Sequence, residues 1–183
     1  MIGKTLFSRV FATIFAVVML SLPVAAVQEV KEINLISSIM KQNVDSCNRI
    51  IRASHRMHEQ AEPFLQPKYQ AKYRFKPSDH PTREILTQVR AMASRFKLLG
   101  GILYHSPVES RHKILKMSDA SLETLTNASK RALRAIRDGN HALYIASAQT
   151  ADREAKTLYR LITDMEDAIN TSIESTDQNY ENL

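Results

Sequence analysis

Apolar residues return every third or fourth position along four long stretches of this 183-residue chain, and that spacing commits it to long amphipathic helices. From about Val30 to Glu62 the stripe is Ile33, Ile36, Met40, Val44, Cys47, Ile51, Ser54 and Met57 or His58. Pro63 ends it, because a proline disfavours helix in the residue before it. From about Pro81 to His105 the stripe is Ile85, Val89, Met92, Phe96, Leu99 and Leu103. Pro81 suits a first helical position, and Gly100-Gly101 marks a kink, a fray point or a close helix contact.

The third stretch opens on Ser106-Pro107-Val108-Glu109, a serine N-cap with proline at N1 and a glutamate that can reach back to it. Its stripe is Ile114, Met117, Ser121, Leu122, Leu125, Ala128, Ala132 and Ile136. Asp138-Gly139-Asn140 breaks it, with Gly139 free to take the left-handed conformation. The fourth runs from about His141 to Thr176 on Leu158, Leu161, Ile162, Met165, Ile169 and Ile173. Its first half is rich in alanine (Ala142, Ala146, Ala148, Ala151, Ala155), which suits close helix approach, and residues 177–183 are a polar tail expected to fray. Met40, Met57, Met92, Met117 and Met165 all fall on these stripes, so core packing accounts for them. Long helices in succession predict an all-α protein, an antiparallel up-and-down four-helix bundle with coiled-coil-like seams.

The N-terminus predicts where that bundle works. Lys4 and Arg9 precede an uncharged run, Val10 to Leu22, and then Pro23-Val24-Ala25-Ala26. Basic, apolar and small-residue regions in that order are the pattern of a secretory signal peptide. Cleavage after Ala26 would leave a single domain, 27–183, in the periplasm or secreted. The rival is a retained anchor, since Val10 to Val27 approaches the ~20 apolar residues that span a bilayer. Pro23 and the small residues at 24 and 26 favour cleavage, after which nothing is apolar enough to be integral to the membrane. Cys47 is the one cysteine, which excludes a disulfide framework. It is expected as a buried thiol, or else it pairs with another chain.

Charge is uneven. Residues 49–97 carry 11 basic and four acidic side chains, and residues 138–183 carry three basic and nine acidic. Either the helices complement one another or the basic middle faces an anionic partner. The connection between the first two helices, 63–81, concentrates the question. It holds four prolines around Lys68, Tyr69, Lys72, Tyr73, Arg74, Phe75 and Lys76. Extended, it would put the rings on one side and the cations on the other; as a short helix it would align Lys68, Lys72 and Lys76. Either form presents aromatics beside cations, suited to a protein surface or to an anionic polymer or lipid, with no specific nucleic acid implied. The alternative is a crossover that caps the bundle with its rings.

His55 and His58 share a helix face and would chelate a metal if His105 or His112 joined them. Arg52 and Arg56 beside them would repel a cation, and no cofactor is expected. There is no Gly-x-Ser-x-Gly elbow, no glycine-rich phosphate loop and no Cys-x-x-Cys-His haem motif. Asp164, Glu166 and Asp167 look like a solvated face. The sequence therefore predicts an exported binding protein that is not an enzyme, contacting its partner through 68–76. A small-molecule or metal pocket in the bundle and a structural or assembly subunit are the alternatives.

Overall fold

The computed structural model describes residues 24–65, 76–102 and 109–181. It contains four helices: α1 (Val24–Ala61), α2 (His80–Ile102), α3 (Glu109–Asp138) and α4 (His141–Glu181). A 3-10 turn, Glu62–Phe64, follows α1. No strand occurs among the described residues. Residues 1–23, most of the expected signal peptide 1–26, the connection 66–75 and the expected cap at Ser106-Pro107 lie outside them. Contacts divide the chain into Met1–Ser38 and Ile39–Leu183, and the packing below belongs to the second unit.

The helices run antiparallel to their neighbours, and hydrogen bonds set the register. Asn43 and Ser46 of α1 meet Arg95 of α2, while Arg56 further along α1 meets Glu84 near the start of α2. The Cys47 thiol donates to the Ala155 carbonyl of α4 at 3.9 Å, and the Tyr144 hydroxyl donates to Gln60 Oε1 at 2.9 Å. Ser121 of α3 donates to Glu154 of α4. Along the seam of α4 the buried residues are Tyr144, Ala148, Ala151, Ala155, Leu158, Ile162, Met165 and Ile169, with Ser147 and Leu161 buried beside it. The seam spacing alternates between four and three, and Thr82, Ile85, Val89, Met92, Phe96 and Leu99 do the same on α2. That is the 3.5-residue repeat that keeps a seam facing its partner over many turns.

Three alanines are buried on α3 (Ala128, Ala132, Ala135) and three on its hairpin partner α4 (Ala148, Ala151, Ala155). Small side chains there let two helices joined by a two-residue turn approach closely. Gly139 sits at φ 64°, and the Asn140 amide donates to the Ala135 carbonyl at 2.9 Å. This is a Schellman ending, which satisfies a terminal carbonyl of α3. Asn140 then starts α4: its side-chain oxygen accepts from the Leu143 amide at 2.9 Å, and its carbonyl accepts from Tyr144. Nothing lies within 4 Å of a Cβ added at Gly139, so Gly139→Ala carries backbone strain alone. It is expected to lower unfolding free energy by about 1 kcal/mol in urea titration.

The other ends have equally local causes. Pro63 lies in the first turn of the 3-10 helix, and Phe64 is buried, its ring centroid 5.2 Å from that of His141. The turn is thereby fastened to the start of α4. At the head of α2, the Asp79 carbonyl accepts from the Arg83 amide, and Ser78 Oγ accepts from the His80 amide. Helix α4 continues to Glu181, past the boundary expected near Thr176, because no glycine or proline interrupts it.

The seams differ from the sequence reading in detail. On α3, Leu115 and Ser118 are buried and Met117 is 46% exposed, so Met117 is not a core residue. On α1, Ile50 and Asn43 are fully buried while Ile51 and Val44 are only half-buried. The reason is polar packing. Arg95 donates to Asn43 Oδ1 at 2.8 Å and to Ser46 Oγ at 2.5 Å, so a guanidinium bridges α1 and α2 where an apolar stripe was expected. Burial pulls the Arg95 pKa down and Asp45 opposes that. Thr82, Ser118 and Ser129 are fully buried with hydroxyls that find no hydrogen-bond partner among the described residues, sites where internal water would stabilise the bundle.

Candidate functional site

Antiparallel packing brings the start of α2 beside the end of α3. A groove of about 570 Å³ opens between them, lined by Asp79, Arg83, Lys130, Leu133, Arg134, Ile136 and Arg137. Lys130, Arg134 and Arg137 follow one another at helical spacing, so one face of α3 carries all three. Leu133 and Ile136, both half-buried, supply an apolar floor.

The charges around this groove are partly compensated. Arg83 Nε donates to Asp79 Oδ2 at 2.6 Å. Arg137 Nε donates to Asp138 Oδ1 at 2.9 Å, and Arg134 Nε lies 3.5 Å from Asp138 Oδ2. The Arg137 hydrogen bond holds the Asp138 carboxyl below the usual carboxylate range, and the same bond raises Arg137. Lys130 makes no ion pair among the described residues. Four cations thus share two carboxylates. The paired arginines are 69–73% exposed, so solvent screens these pairs and they contribute little to stability. They restrain the guanidinium groups without locking them, so an incoming anion can take over their donors.

Of the residues expected to form the contact surface, Lys68, Tyr69, Lys72, Tyr73, Arg74 and Phe75 lie outside the described residues. Lys76 is described and exposed, and Pro77 and Ser78 lead from it to Asp79 at the groove wall. Leu65, where the described part of the preceding turn ends, is 46% exposed. The groove cations themselves escaped the sequence reading. Their signal was present as Lys130, Arg134 and Arg137 at i, i+4 and i+7, but Arg83 joins them only through the α2–α3 register.

The histidines do not converge. His55 is exposed and its Nε2 is 3.3 Å from Glu59 Oε1. His58 is half-buried, and its Nδ1 has no hydrogen-bond partner among the described residues. His105 and the His112 side chain lie outside the described residues, and no group of three metal-ligating side chains occurs among those described. Cys47 is fully buried. Asp164 and Asp167 are exposed and Glu166 half-buried. No helix among the described residues is long and apolar enough to cross a membrane.

Compared with protein-family models, curated proteins and solved structures, the chain matches none.

Proposed function

We propose that this chain is an exported helical-bundle binding protein without chemistry of its own, which contacts a protein or an anionic envelope component through one cationic end of the bundle. The observation that carries the reading is the groove in which Arg83, Lys130, Arg134 and Arg137 outnumber Asp79 and Asp138. Lys76, exposed and three residues before Asp79 in the chain, adds a further cation to the connection leading into α2. The stretch from Lys68 to Phe75 would contribute the rest of the surface, Tyr69, Tyr73 and Phe75 as contact rings and Lys68, Lys72 and Arg74 as charges. Exposed charges act over about 8–10 Å at physiological ionic strength. Binding to vesicles containing anionic lipid, or to the envelope fraction, is therefore expected to weaken steeply with added salt. It is expected to fall further when Lys68, Lys72, Arg74 and Lys76 are all replaced by glutamine. An affinity indifferent to both changes would remove the reading.

A second reading, assembly of two or more copies, is favoured by one observation. Leu98 on α2 and Met117 on the adjacent α3 are 49% and 46% exposed. Sedimentation decides it: a concentration-dependent mass that Leu98→Lys and Met117→Lys abolish supports assembly, and a strict monomer excludes it.

A further inference from the structure

We infer that the groove between α2 and α3 is a binding site for one phosphate monoester carried on an apolar group. This rests on the reading of that end of the bundle as an anion-binding surface and names its ligand. The charge count sets the ligand's charge. Among the described residues, Arg83 is balanced by Asp79, Arg134 and Arg137 divide the single carboxylate of Asp138, and Lys130 makes no ion pair. Two positive charges are left over, and a phosphate monoester at neutral pH carries about −1.5 to −2. A diester or a carboxylate brings only one.

Donor geometry fits as well. Lys130, Arg134 and Arg137 project from one helix face and Arg83 from the facing helix, so a tetrahedral group between them meets donors from two walls. The volume, about 570 Å³, is that of a small-molecule site and well beyond one phosphate. Leu133 and Ile136 on the floor would cover the apolar part of the ligand. That part distinguishes a lipid headgroup from a soluble phosphate, and the floor favours the lipid.

Isothermal titration of the full chain tests the site with four probes: inorganic phosphate, short-chain phosphatidic acid below its micelle concentration, the phosphatidylglycerol of the same chain length, and the matching phosphatidylcholine. Phosphatidic acid is expected to bind at least about tenfold tighter than phosphatidylglycerol, the scale of one added charge-assisted contact. It is also expected to bind tighter than inorganic phosphate. Equal binding of phosphatidic acid and inorganic phosphate would keep the phosphate site and overturn the apolar contribution. Equal binding of monoester and diester, or of phosphatidylcholine, would overturn the monoester site. Lys130→Gln, an exposed position, is expected to weaken phosphatidic acid about tenfold with an unchanged circular dichroism spectrum, and Arg134→Gln provides the same readout should the first variant fold poorly. If neither variant changes affinity, the groove is not the site. Loss of phosphate binding with salt-sensitive envelope binding intact would sink this inference and leave the broader reading standing.

Discussion

Replacing Tyr144 with alanine is expected to lower unfolding free energy by about 3–5 kcal/mol, the usual cost of deleting a buried aromatic side chain. Tyr144 is fully buried in the first turn of α4, the largest side chain with no exposure among the described residues. Its hydroxyl donates to Gln60 on α1, so it ties the α3–α4 hairpin to the first helix. Tyr144→Phe keeps the ring and is expected to lose only about 1 kcal/mol, one hydrogen bond, because half-buried Gln60 can turn to water. Urea titration of both variants separates ring from hydroxyl. Near-equal losses would mean the bond, not the ring, fastens this end. In a domain of this size the alanine variant should melt about 10 °C lower.

The second large effect is alkaline unfolding. Burial pushes the Cys47 thiol from its ordinary 9.0 up to about 12, and the Tyr144 phenol from 10.0 up to about 12. The unfolded chain releases these protons from about pH 9 and pH 10; the native chain keeps them until about pH 12. Between those limits the unfolded state binds fewer protons, so stability must fall as pH rises. Below pH 9 the contribution is fully present. For Cys47 the loss across the window is of order 4 kcal/mol, at 1.36 kcal/mol per pH unit. Urea midpoints at intervals from pH 8 to 11.5 would show it. Cys47→Ala should flatten the slope from pH 9 upward while lowering the midpoint at pH 8 through lost packing. A wild-type midpoint that stays level across the window would contradict buried, protonated groups.

The bundle was legible because its evidence is periodic. Ile85, Val89, Met92, Phe96 and Leu99 appear on α2 as expected, and Leu158, Ile162, Met165 and Ile169 appear on α4. The break at Gly139 was equally legible, since only a residue tolerant of positive φ closes so short a turn. What the pattern hid were polar residues inside the seams. Asn43, Ser118 and Ser129 read as surface in a sequence and are buried here, while Met117, placed on the stripe, points outward. The groove was hidden for a different reason. Arg83 and Lys130 are far apart in sequence, and only an antiparallel register fixed by whole-helix packing makes them neighbours. The proline-framed stretch before α2 drew the eye because its charges are consecutive. The groove's charges are dispersed over two helices, and dispersion is invisible until the helices are placed.

Hydrogen exchange of the full chain, free and on vesicles rich in phosphatidic acid, tests most directly the proposed contact through the cationic end of the bundle. Amides are expected to gain protection around Asp79–Glu84 at the head of α2 and around Lys130–Asn140 at the α3–α4 turn. The far end, near Leu98 and Met117, should exchange as before. Protection confined to that far end, or none at salt low enough for binding, would contradict a cationic bundle end as the working surface.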